Sequence, residues 1–182
     1  MPYPPTGLNA HREMLAANQS RFTEDKERAV KKWVEHAWKC VRTTTTRMSK
    51  KQATPHLREM ALLVWEAQGG VPLFNFGRDG AIPCWNRPQD GLKDYIRYEI
   101  GHMDPTSNGG SSKPENLCFQ SARCNQHIQS SLPMDEVVAY YFQTNNEVLE
   151  RLKSLQRLHN SKGWASLRKL VFGQQAAPLT FP

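Results

Sequence analysis

Apolar residues return every three or four positions in several stretches of this chain, the spacing of helices that bury one face. From Thr23, with Glu24 and Asp25 in a favourable first turn, the series Ala29, Val30, Trp33, Val34, Ala37, Trp38 and Val41 predicts one helix. Thr54-Pro55 reads as a second start, a hydroxyl cap followed by proline at the first helical position. Its stripe is Leu57, Met60, Ala61, Val64 and Trp65, and Gly69-Gly70 closes it. Three more helices are expected near the C-terminus. One opens at Pro133 with Val137, Val138, Tyr141 and Phe142 facing inward. One is capped by Thr144 or Asn145 and carries Val148, Leu149, Leu152, Leu155 and Leu158. The last runs from about Lys162 through Trp164, Leu167, Leu170 and Val171 to Gly173. Residues 1–7 read as a Pro-rich arm, Asn9 as the cap of a short helix, and 81–85 as a small hairpin in a turn-rich tract.

One stretch breaks the helical pattern. Arg97 to Gly101 alternates, with Tyr98 and Ile100 apolar, and predicts a short strand ending at His102. Pro, Ser, Asn and Gly then dominate 104–115, which is turn chemistry. A loop of that length inside a small domain is usually functional. Leu117 and Phe119 suggest a second strand, and Ser121 or Ala122 to Ser130 a helix. The order is strand, loop, strand, helix. A single histidine after a strand, or an Asn beside Gly, is by itself most often a structural residue.

The net charge of +7 on 182 residues, with pI near 9.4, favours a polyanionic partner. Much of it lies on one helix face, in Lys26, Arg28, Lys31, Lys32, Lys39 and Arg42, and continues through Arg47, Lys50 and Lys51. Phosphate contact and a merely solvated surface are both open readings of that face. No apolar run nears the roughly 20 residues needed to cross a bilayer, so no membrane role is expected. The first residues lack a signal peptide's basic start and apolar core. Four dispersed cysteines (Cys40, Cys84, Cys118, Cys124), none in a CxxC pair, suit reduced thiols and a cytoplasmic location.

The segment YEIGHMDPTSNGGSSKPENLCFQSARCNQHIQ, from Tyr98 to Gln129, is organised by His102, Asn116 and Asn125 at intervals of fourteen and nine. With Pro105, Gly109-Gly110, Asn116-Leu117 and Cys124-Asn125 in their places, it resembles the HNH nuclease motif, over about a sixth of the chain. Trp65 to Gly77 is also similar to the lead-in of phage-type members, with Val71-Pro72 where a cysteine is usual. The resemblance implies an α+β fold: a ββα-metal HNH unit embedded in a mostly helical domain. Residues 1–68 would form a basic helical region, 69–132 the catalytic unit, and 133–182 helices packed on it.

The resemblance also implies roles. His102 would be the general base, Asn116 the brace of the loop, and Asn125 a metal ligand, with one Mg²⁺ (or Mn²⁺) per site. The position before the base, usually Asp, is Gly101 here. Glu99, two residues back on the same strand face, is the favoured replacement carboxylate. Asp104 is a second candidate, or an orienter of His102, and Gln129 a third. An aspartate placed at 101 is expected to share the face of Glu99. Without CxxC pairs a structural zinc is not expected. Lys31, Lys32, Arg47, Lys50, Lys51, Lys113 and Arg123 are the candidate nucleic-acid contacts. The function implied is metal-dependent DNA hydrolysis of restriction, homing or phage type, in a bacterial or phage-infected cell. A homodimer is left open. The alternatives are a non-catalytic nucleic-acid-binding module, favoured by Gly101, and an RNA-directed or toxin nuclease.

Overall fold

The computed structural model describes residues 19–42, 48–73, 97–130, 132–139 and 146–173. The expected N-terminal arm and its short helix, the hairpin over 81–85, Arg47, Tyr141 and Phe142 lie outside them. Within them the protein is mostly helical, with one two-stranded antiparallel sheet.

The longest helix, α1 (Gln19–Val41), is already helical four residues before Thr23, so Thr23 is not its cap. Asp25 has a tertiary use instead. Its carboxylate accepts the Tyr98 N–H at 2.8 Å and pairs with Arg28, whose guanidinium donates to the Tyr98 carbonyl at 2.6 Å. The second helix, α2 (Lys50–Ala67), also starts earlier than Thr54-Pro55 predicts. Ser49 caps it in a reciprocal box with Gln52, and Pro55 lies inside the helix. Two satisfied backbone donors at Ser49 and Gln52 outweigh the single carbonyl partner lost to the proline.

The sheet joins β1 (Tyr98–His102) to β2 (Leu117–Ser121), pairing Glu99 with Gln120, Ile100 with Phe119, Gly101 with Cys118 and His102 with Leu117. A two-stranded sheet is marginal alone, and its outer edges present unpaired backbone groups. Side chains satisfy them here. Asp25 and Arg28 serve Tyr98 on one edge. On the other, the buried Gln68 amide both donates to the Phe119 carbonyl and accepts the Phe119 N–H, each at 2.9 Å. Trp65 meets Tyr98 and Phe119 edge to face, with 5.2 Å between centroids in each pair. One hydrophobic core therefore draws on α1, α2, both strands and the C-terminal helices.

Beyond β2 the chain forms α3, a single turn (Ala122–Cys124) running into a π-turn (Asn125–Gln129). It continues in α4 (Met134–Val137), α5 (Asn146–His159) and α6 (Lys162–Phe172). Val137, Val148, Leu152, Leu155, Trp164 and Val171 are buried, as the spacing predicts, but Leu170 is 48% exposed. Its neighbour Val171 takes the inward position.

Helix α6 also clamps the loop that precedes β2. Glu115 is buried there, accepting from Trp164 Nε1 at 3.0 Å and lying 2.6 Å from Arg168 Nε in an ion pair. Beside this pair the buried His159 ring lies 4.7 Å from Trp164, and neither of its nitrogens has a hydrogen-bond partner among the described residues. Burial, reinforced by the Arg168 charge, pushes the His159 imidazole down to about 4. Unfolded, it would bind a proton near the usual 6.5. Folding stability is therefore complete above that value and lost as pH falls from 6.5 towards 4, by about 3 kcal/mol. Urea unfolding at pH 7 and pH 4.5, compared between wild type and His159→Leu so that groups common to both cancel, checks this. Equal pH dependence in the two proteins would refute it.

Candidate functional site

Each sequence-expected residue around the turn from β1 to β2 has a defined place. Asn116 ends a short 3-10 turn (Pro114–Asn116), and its amide spans the loop that follows His102. Oδ1 accepts the Asp104 N–H at 2.7 Å, while Nδ2 donates to the carbonyls of Asp104 and Ser111, each at 2.8 Å. Its backbone carbonyl accepts the Met103 N–H as well. One side chain thus ties the two ends of the loop together. Gly110 permits the close approach this needs, since a Cβ there would lie 1.9 Å from the Asp104 carbonyl oxygen. Asp104 itself is exposed, held through its backbone rather than its carboxylate.

His102 is half-buried at the end of β1, with Nε2 3.3 Å from Ser112 Oγ. Its orienting partner is therefore Ser112 rather than Asp104. Its ring meets that of His36 from α1 edge to face, with centroids 5.4 Å apart. Burial holds the His102 imidazole below its usual range, and the positive fields of His36 and Lys39 push the same way. At neutral pH such a ring is neutral and can accept a proton.

Glu99 and Asn125, 26 residues apart, are brought together: Asn125 Nδ2 donates to one Glu99 carboxylate oxygen at 3.0 Å, and Gln126 Nε2 to the other at 3.1 Å. The π-turn sets this geometry by widening the helix where Asn125 and Gln129 face the strands. His102, Asn125, Ile100, Thr106 and Gln129 line a shared cleft of about 400 Å³.

Gln129 is not a free ligand. Its Oε1 accepts from Gln120, and its Nε2 donates to the His102 carbonyl at 2.6 Å. Gln120 is completely buried and crosses the strand face over Gly101. A Cβ at 101 would sit 2.2 Å from Gln120 Nε2 and 2.6 Å from its Cδ. The expectation that an aspartate there would simply join Glu99 is thus overturned, because that space holds a buried amide. Gln120 Oε1 is itself buried with no hydrogen-bond partner among the described residues.

The donors available to a cation are hard oxygens: the half-buried Glu99 carboxylate and, with Nδ2 committed to Glu99, Oδ1 of Asn125. That set suits Mg²⁺, which keeps several waters and commonly takes one or two carboxylates plus substrate phosphate. Among the described residues, no three His, Cys, Asp or Glu side chains converge as a metal cluster. Cys124 is disulfide-bonded, against the expectation of reduced thiols, while Cys40 and Cys118 are in no disulfide.

Of the expected nucleic-acid contacts, Lys31, Lys32, Lys50, Lys51 and Lys113 are exposed, and the Arg123 side chain lies outside the described set. Lys26 and Arg28 belong to the fold instead. Lys26 lies over the Trp65 ring, 5.6 Å from its centroid, and Arg28 serves Asp25 and Tyr98. His36, Ser112, Gln120 and Gln126 were not singled out from the sequence. Only His36 carried a local signal, its spacing from Lys32 and Lys39.

Comparison with protein-family models, with curated proteins and with solved structures gave no significant match. No helix among the described residues is long and apolar enough to cross a membrane.

Proposed function

We propose that this protein is a metal-dependent endonuclease of the HNH (ββα-metal) type, hydrolysing phosphodiester bonds in DNA. The carrying observation is the Glu99–Asn125 contact at 3.0 Å, with Asn125 lining one cleft with His102. It joins Asn125, the ligand the resemblance implies, to Glu99, the carboxylate favoured on strand-face grounds to replace the aspartate missing at 101. The Asn116 bonds support the same reading, since they close the loop that follows the base, from Asp104 to Ser111, and so keep it aimed.

In the tautomer whose Nε2–H donates to Ser112 Oγ, the Nδ1 lone pair of His102 is the one that takes a proton from water. The water oxygen forms a new bond to phosphorus, and the bond from phosphorus to the 3′ oxygen breaks. Held by Glu99 and Asn125, a divalent ion would supply charge neutralisation at the phosphate and at the departing oxygen. Asn116 and Ser112 keep loop and imidazole in place throughout.

The second reading, a binding module without catalysis, is favoured by Gln120, which fills the place beside Gly101 where a further carboxylate would stand. The deciding experiment is cleavage of mixed DNA, with RNA in parallel, in Mg²⁺ and in EDTA, using wild type, Glu99→Gln and Asp104→Asn. Mg²⁺-dependent product in the wild type, with the Glu99→Gln response displaced to higher Mg²⁺ and Asp104→Asn little changed, is the expected result. No product at any Mg²⁺ concentration rejects the nuclease. A response moved by Asp104→Asn alone makes Asp104 the ligand.

A further inference from the structure

Lys32, His36 and Lys39 are spaced four and three residues apart on α1 and so share one face. His36 brings that face against His102, ring to ring at 5.4 Å. Burial holds the His36 imidazole below its usual range, and the fields of the exposed Lys39 and Lys32 push the same way. Glu35 is the carboxylate that opposes them there. Lys113, on the loop after His102, is exposed as well. His36 Nδ1 is buried with no hydrogen-bond partner among the described residues. The negative charge of Glu99 is instead engaged by the π-turn, through Asn125 and Gln126. His102 thus shares a cleft with Asn125, the partner of that carboxylate, and meets His36 with its flanking lysines on the α1 side.

We infer that the Lys32–His36–Lys39 face is a binding site for consecutive backbone phosphates of a polynucleotide strand, with His36 positioning the phosphate next to His102. What lies at His102 rests on the nuclease reading; the face itself does not. From residue 32 to 39 the helix advances roughly 10 Å, the axial length of about three nucleotides of one strand. A membrane surface fits less well. Ala29, Val30, Trp33, Val34 and Ala37 of this helix are buried and Trp38 is partly buried against the core, which leaves little apolar surface to insert among the described side chains.

The test is equilibrium binding of the full chain to a labelled DNA duplex in EDTA, across a salt titration. Three variants are compared with wild type: Lys32→Gln/Lys39→Gln, His36→Gln, and a control double, Lys153→Gln/Lys169→Gln, which lowers net charge equally on α5 and α6. The first double should reduce the magnitude of the slope of log K against log[salt] by about 1.8, from about 0.9 per phosphate contact, while the control leaves it unchanged. His36→Gln should weaken binding about tenfold at fixed salt, the size of a hydrogen bond to a charged group. Equal slopes in both doubles overturn the inference, as does a wild type that does not bind DNA. Cleavage in Mg²⁺ is read separately. Binding that responds as expected without any cleavage rejects the nuclease and keeps the phosphate face, whereas cleavage with unaltered slopes does the reverse.

Discussion

Replacing His102 with alanine is expected to lower the single-turnover rate of DNA cleavage by about 10²- to 10⁴-fold, the usual contribution of a positioned general base. Folding and DNA affinity should change little. The ring is only half-buried, its hydrogen bond runs to one loop hydroxyl, and the edges of the sheet are held by Asp25 and Arg28 on β1 and Gln68 on β2 rather than by the imidazole. The measurement pairs a rate at saturating enzyme with a urea midpoint and a binding constant in EDTA. Were the variant to keep more than a tenth of the wild-type rate, His102 would not be the base. If the rate and the urea midpoint fell together, its role would be structural.

Placing aspartate at 101 should be the most destabilising single change at this site, by about 4 kcal/mol or more, adding overpacking to the burial of an unpaired charge. The new Cβ would lie within 2.8 Å of three Gln120 side-chain atoms. Gln120 cannot step aside without cost, because its amide is committed to Gln129 and lies 3.5 Å from Cys118 Sγ. A loss of that size approaches the whole stability of many small domains. Combining Gly101→Asp with Gln120→Ala should recover at least half of the lost urea midpoint, by opening the space the carboxylate needs. A double variant no more stable than Gly101→Asp alone would mean that Gln120 is not the obstacle. The same double variant is the background in which a restored aspartate could compensate Glu99→Gln, since the single substitution meets the buried amide first.

Local physics made much of this protein readable. A strand ending at His102 follows from the alternation of Tyr98 and Ile100, and the run of turn residues announces the loop that Asn116 spans. The described parts of the C-terminal helices lie close to where their apolar stripes put them, with Ser161 and Gly173 bounding α6, while the expected cap at Thr144 or Asn145 lies outside the described residues. Boundaries were read less well where two local signals competed. Thr54-Pro55 looks like a helix start, but the Ser49–Gln52 box satisfies two donors and opens the helix earlier. Thr23 looks like a cap, yet the helix runs through it, and Asp25 is taken up by a strand far along the chain.

Periodicity therefore determined which of the described segments are helices and where the strand-loop-strand unit lies, while the resemblance to the HNH motif named the candidates for chemistry within it. These features depend on neighbours a few residues apart. Tertiary structure alone decided three things. His36 stands against His102, Gln120 fills the face beside Gly101, and Lys26 and Arg28 are spent on Trp65, Asp25 and Tyr98 while Lys32 and Lys39 stay exposed. Each joins groups whose separation in sequence carries no periodic signal. Each is fixed by how helix α1 and the α3 turn pack on two short strands, because burying their apolar faces leaves those polar side chains one place to go.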